Sequence, residues 1–172
     1  NVSIYRFPNV FGKWSKPNYN SVVATFCHNI SKKKKIKIYD KSEQINLLYI
    51  DDLVNQLYSI INSKKNVLYP KIKNIYKTKV SKIAKKIIGF QNNIDSIYID
   101  DLKNKIDKNL FSTFISFIPR KSIFTKLNKN IDKRGNFIEY LKSERFGQVS
   151  IFTIKKNRER GGHYHNSKVE KF

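Results

Sequence analysis

The chain has 172 residues, with 35 Lys and Arg against 13 Asp and Glu, a formal charge of +22, and 40% hydrophobic side chains. That apolar content is enough to build a core and excludes a disordered basic tail, while the length allows one ordinary domain or two small ones. No stretch reaches the ~18 consecutive apolar residues that a spanning helix needs. The longest candidate, residues 110–118, is interrupted by Ser112, Thr113 and Ser116 and ends at Pro119.

Methionine is absent and residue 1 is Asn, so the chain is expected to be processed or an internal fragment of something longer. A single cysteine, Cys27, excludes an internal disulfide framework and reads as a buried, inert thiol in a reducing compartment. The basic excess is 29 Lys against 6 Arg, alongside 24 Ile and 19 Asn. Codons made only of A and T explain that skew, and nucleic-acid interfaces favour the Arg fork that is scarce here. A basic nucleic-acid-binding module is therefore the alternative reading, not the leading one.

In chain order, residues 2–7 read as a short buried strand, followed by a loop over 8–20. Residues 21–29 carry apolar side chains at helical spacing, and 36–39 alternate as a strand after the run Lys32 to Lys35. Residues 46–50 form an apolar stretch leading to Asp51 and Asp52, acidic first-turn residues of a helix through Ile61. Leu53, Val54, Leu57, Tyr58 and Ile61 should face inward. Val80, Ile83, Ala84, Ile87 and Ile88 form a second inward stripe, which Gly89 should stop. Residues 94–99 alternate as a strand. Beyond Pro119 the pattern changes to strand-like runs at 136–141 and 148–154, with turn signals at 132–135 and Gly147. The expected division is therefore a mixed helix and strand piece over 1–119, a linker over 120–130, and the opening of an all-β domain over 131–172.

The run from Gly161 to Glu170 carries the densest chemistry. His163 and His165 are two positions apart, so on a strand both imidazoles share a face. Asn166 and Ser167 can turn the chain and bring back Glu170 as a third, anionic ligand. Two nitrogen donors and a carboxylate suit Zn, Fe, Mn or Ni.

These residues resemble the first half of the cupin metal motif: glycine, His-x-His, a short gap, then Glu. The family's fourth ligand, a later histidine, has no counterpart here. The opening Tyr5-Arg6-Phe7-Pro8-Asn9-Val10-Phe11-Gly12 resembles the segment after the catalytic Tyr-x-x-x-Lys of extended short-chain dehydrogenases/reductases acting on nucleotide sugars. In that family it passes the nicotinamide, which implies the backbone near Phe7 on the cofactor side and Asn9 towards the sugar nucleotide. Asn20 and Ser21 fall where such enzymes begin the helix that contacts the nucleotide. Tyr49-Ile50-Asp51-Asp52-Leu53 is similar to the family's Tyr-Val-Asp-Asp-Val, whose acidic pair opens a helix.

The order of these motifs, with Phe111-Ser112-Thr113-Phe114, the run from Asp132 to Phe137 and Gly147-Gln148-Val149-Ser150, resembles the bifunctional capsular polysaccharide enzymes of the UDP-N-acetyl-L-fucosamine pathway. The resemblance implies an α/β part, the C-terminal portion of a Rossmann-type extended reductase domain, then an all-β part, the first strands of a cupin barrel. It implies a UDP-sugar substrate, NADPH, and zinc on His163, His165 and Glu170. The implied activities are C3 epimerisation by the cupin and C4 ketone reduction by the reductase, giving UDP-2-acetamido-2,6-dideoxy-L-talose. A cytoplasmic homo-oligomer, binding neither nucleic acid nor membrane, is implied for the longer protein. The Gly-rich dinucleotide loop and Tyr-x-x-x-Lys are absent and expected upstream of Asn1, and the last cupin histidine is missing, so this chain alone should have no reductase activity and bind metal weakly if at all. Ile45 stands where many relatives carry a phosphate-contacting Arg.

Overall fold

The computed structural model describes residues 2–63, 67–162 and 164–171. Strand β1 (Asn9–Phe11) lies parallel to β2 (Gln44–Tyr49), with Asn9 opposite Leu47 and Phe11 opposite Tyr49. Parallel neighbours require a crossover, and helix α1 (Val22–Ser31) supplies it. β3 (Tyr76–Lys79) adds antiparallel to β2, giving the order β1-β2-β3. Three further helices follow or interrupt these strands: α2 (Ile50–Ile61), α3 (Val80–Ile94) and α4 (Lys105–Ile115).

The core lies where α1, α3 and α4 meet this sheet. Phe11, Leu47 and Tyr49 meet Val23, Phe26, Cys27 and Ile30 from α1, and Ile83, Ala84, Ile87 and Phe90 from α3. Leu110 and Phe114 of α4 complete it, with the Phe90 ring 5.2 Å from Phe111 and 6.3 Å from Phe114. Burying these side chains contributes roughly 1.5–3 kcal/mol apiece before conformational entropy is counted.

The second sheet is an antiparallel meander: β4 (Lys129–Asp132), β5 (Gly135–Ser143) and β6 (Gly147–Ile154), with a bulge between Glu139 and Leu141. It is tied to the first part through Tyr98, which pairs in parallel with Lys142. The Lys142 amide donates to the Ile97 carbonyl at 2.8 Å, and its carbonyl accepts from the Ile99 amide at 2.9 Å. Arg145 adds an ion pair to Asp101 at 3.3 Å.

Several expectations are corrected. Residues 2–7 are not a strand, and the strand begins inside the expected loop, at Asn9. Ladder bonds need a partner, and residues 2–7 find a single backbone one among the described residues, the Leu68 carbonyl for the Ile4 amide. Residues 36–39 keep their alternation, with Ile36 and Ile38 against the core and Tyr39 outside, yet pair with no strand among the described residues. Gly89 does not end α3. The helix runs on because Phe90 and Gln91 continue its buried stripe, while Ile88 turns out to be 42% exposed. On α2, Leu53 is buried, but Val54, Tyr58 and Ile61 face solvent and Asp52 is buried in their stead. Residues 94–99 are the end of α3, a turn and the Tyr98 bridge. Within 120–130 lie a 3-10 turn, Arg120–Ser122, and the start of β4.

Candidate functional site

The parallel pair β1 and β2 places the ends of both strands side by side, the position at which open α/β sheets bind ligands. Phe11 and Tyr49 pack ring to ring at 5.3 Å there. Gly12 approaches Ile50 so closely that a Cβ would fall 2.2 Å from its Cγ2, which locks the loop after β1 against the start of α2. Lys13 pairs with Asp51 across the same junction at 3.5 Å.

Ser21 caps α1: its Oγ accepts from the Ala24 amide at 3.2 Å and its carbonyl accepts from the Thr25 amide and hydroxyl. Thr25 Oγ1 in turn accepts from the Asn18 amide, pinning the loop onto the helix. Asn20, just ahead of the cap, is exposed. On β1, Asn9 is exposed and Phe7 stacks on Tyr5 at 5.3 Å and 15°. The Tyr5 hydroxyl is buried with no partner among the described residues. Ile4, Arg6, Tyr69 and Pro70 line an adjacent cleft of about 380 Å³. No hydrogen bond among the described residues joins Phe7 or Asn9 to Asn20 or Ser21.

At the other end, His163 lies outside the described residues. The segment holding His165 and Glu170 is not a strand, contrary to expectation; the chain bends at Asn166 and Ser167 and sets His165 Nε2 3.5 Å from Glu170 Oε1. Two donors about 2.0–2.2 Å from a tetrahedral ion lie about 3.3–3.6 Å apart, so this pair has the spacing that one zinc would impose. Among the described residues no three His, Cys, Asp or Glu side chains form a metal-holding group.

Sequence reasoning read Asp132 only as the start of a turn and passed over Arg160. Asp132 Oδ1 accepts from the Arg134 and Gly135 amides at 2.8 and 2.9 Å and from Arg160 Nη2 at 3.1 Å, while Oδ2 accepts from Arg134 Nε and Nη2. The Arg134 side chain, then the two amides, hold its carboxyl below the ordinary aspartate range. The local half of this hub was legible, since Asp before Lys-Arg-Gly is an Asx-type turn signal. Its long-range half, Arg160, was not.

Residues 1–75 match the NAD dependent epimerase/dehydratase family, and residues 130–172 match the polysaccharide biosynthesis C-terminal domain. The chain is 42% identical over 99% of its length to UDP-2-acetamido-2,6-beta-L-arabino-hexul-4-ose reductase from Pseudomonas aeruginosa, of which it covers 46%. It superposes on the capsular polysaccharide assembling protein CapF from Staphylococcus aureus with a TM-score of 0.78 at 36% identity, covering 87% of this chain and 42% of that one. UDP-glucose 4-epimerase from Thermotoga maritima shares the fold alone, at 18% identity and a TM-score of 0.55, over 71% of this chain and 47% of that one. The chain thus spans about half the length of the curated relative it matches. Two family models thus match in this order along the chain, and the reductase from Pseudomonas aeruginosa and CapF from Staphylococcus aureus are similar to it across both.

Proposed function

We infer that the chain is part of a nucleotide-sugar enzyme of capsule or O-antigen synthesis, one that epimerises a UDP-4-keto-6-deoxy-HexNAc at C3 and reduces its C4 ketone with NADPH. The observation that carries this is the similarity over 99% of the chain to a protein named as a UDP-sugar hexulose reductase. In this reading residues 1–119 belong to the reductase part, 131–172 to a cupin part, and 120–130 join them.

In the reductase part, the chain's contribution is binding and orientation. Asn9, on the exposed side of β1, offers both a donor and an acceptor to the sugar nucleotide. Asn20 and Ser21 stand at the N-terminus of α1, where free amides and the helix dipole favour a diphosphate. The backbone at Phe7 lies on the nicotinamide side in this reading, and the buried Tyr5 hydroxyl beside it, without a partner among the described residues, suits a polar group docked against that loop. Bound NADPH would supply hydride.

In the cupin part, His163, His165 and Glu170 would hold zinc, and the 3.5 Å spacing of the latter two supports that. A bound zinc would supply Lewis acidity beside the ketone, where the C3 proton is acidic enough to be removed and returned on the opposite face. The longer protein is read as a cytoplasmic homo-oligomer.

The test is a UDP titration of the isotopically labelled chain, followed by amide NMR, beside a zinc titration of the same sample. Perturbation at Asn9, Asn20 and Ser21, and weak zinc binding lost in His165→Ala and Glu170→Gln, are expected. A chain whose amides ignore UDP, but which binds DNA with a steep log-linear salt dependence, would instead be the nucleic-acid module.

A further inference from the structure

Asp100 is a half-buried acid in a chain with 35 Lys and Arg, yet it has no ion pair among the described residues. Its Oδ1 accepts from Asn93 Nδ2 at 2.7 Å. The basic side chains beside this segment are engaged elsewhere. Lys103 and Arg145 both reach Asp101, the next residue, at 3.3 Å. Lys142 stands over the Tyr98 ring and reaches Glu139 at 3.8 Å. Burial, offset only in part by the Asn93 amide, holds the Asp100 carboxyl above the ordinary aspartate range.

That carboxyl lines a cleft of about 230 Å³. Ile94 at the end of α3, Ile99, Phe111 of α4 and Ile123 give the cleft apolar walls. Two of its hydroxyls are committed to the backbone: Thr125 Oγ1 donates to the Ile94 carbonyl at 2.9 Å and Ser96 Oγ to the Asn93 carbonyl at 3.0 Å. Among the described residues of this lining, Asp100 alone carries a charge. An acid set among apolar walls and short of a counter-charge is complementary to a cation that brings hydrocarbon with it. Pockets for drug-sized ligands run roughly 300–1,000 Å³, so the occupant is smaller than those.

We propose that this cleft binds a small primary amine with an apolar body, its ammonium on Asp100 and its hydrocarbon against Ile94, Phe111 and Ile123. Asn9, Asn20, Ser21, His165 and Glu170 are not in the lining, so the site is additional to those read above for sugar nucleotide and zinc. The formal charge of +22 does not bar a cation here. Exposed charges more than about 10 Å apart are largely screened at ~0.1 M salt, and the unmatched carboxyl decides locally.

The experiment is a titration of the full 172-residue chain with cyclohexylmethylamine near neutral pH in ~0.1 M salt, followed by NMR of the isoleucine methyls and the Asn93 side-chain amide. Cyclohexylmethanol, the same shape without the charge, is the control. Saturable shifts at Ile94, Ile99, Ile123 and Asn93 are expected with the amine. The alcohol should bind at least ~10-fold more weakly, the scale of a hydrogen bond to a charged group. Asp100→Asn should bring the amine down to the alcohol's affinity and leave the alcohol unchanged. Ile123 is 58% exposed and so can be enlarged, and Ile123→Trp, which fills the cleft, should abolish amine binding. Equal affinity for amine and alcohol, an Asp100→Asn chain that holds the amine as tightly as the unaltered one, or amine binding that survives Ile123→Trp would each overturn the proposal. Shifts confined to residues outside the cleft, or no shift at all, would do the same.

Discussion

Lys105, the first residue of α4, donates to Oδ1 of Asp52 in the first turn of α2 at 2.5 Å, joining two helices 53 residues apart in sequence. The Asp52 side chain is 9% exposed and the Lys105 side chain 57%, so a wet ammonium serves a dry carboxylate. Asn74 donates to the same oxygen at 3.3 Å, and Oδ2 has no partner among the described residues. The hydrogen bond to Asp52, chiefly, holds the Lys105 ammonium above its ordinary range. Lys105→Met should lower stability, because it leaves the charge of a buried carboxylate without its counter-ion. Adding Asp52→Asn should recover part of that loss. Urea midpoints check both, and an unshifted midpoint in the single variant would remove the bridge from any account of stability.

Gly89→Ala should stabilise the chain by about 0.5–1 kcal/mol. The position lies inside α3 with an ordinary helical φ, and an added methyl would meet nothing within 4 Å. A thermal midpoint that falls would show that the backbone needs glycine there.

Gly135→Ala should have the opposite effect, by more than ~2 kcal/mol. Gly135 has φ +147°, and a Cβ would sit 1.9 Å from the Thr153 carbonyl oxygen. The β5–β6 ladder must part to admit it. Hydrogen exchange at the amides of residues 148–154 measures this directly, and protection equal to that of the unaltered chain contradicts it.

Cys27 is fully buried, and burial pushes its thiol up from 9.0 to about 12. The unfolded thiol ionises first, so this group's contribution to stability is complete below pH 9 and shrinks as pH rises towards 12. Cys27 should therefore ignore a thiol reagent at pH 8 until the chain unfolds. The unaltered chain should also lose more stability than Cys27→Ala over that alkaline interval. Rapid labelling under native conditions would contradict the first expectation, and parallel pH curves the second.

Sequence made the locally determined parts legible. Ser21 as a helix start, the stripe of Ile83, Ala84 and Ile87, the buried Cys27 and the turn after Asp132 all depend on neighbours a few positions away. What failed depended on distant partners. Val54, Tyr58 and Ile61 have the spacing of an inward face, but only packing decides which face is covered, and α2 buries Asp52 and Leu53. Residues 2–7 and 36–39 carry strand patterns, yet a strand exists only where another lies beside it. Asn166 and Ser167 were legible as the place where the chain turns Glu170 back towards His165, although not on strands. The Asp132–Arg160 link was not, because nothing local announces it.

The Tyr98–Lys142 bridge sits just past the bulge in β5, beyond Glu139 and Leu141. Sliding β5 by a single residue would tear both backbone bonds at Lys142, reverse which side chains face each way, and drive a side chain into the place that Gly135 keeps clear. The bridge thus acts as an index pin for the hairpin, so a contact made by the helical part of the chain joins Gly135 in fixing the alignment of the strands.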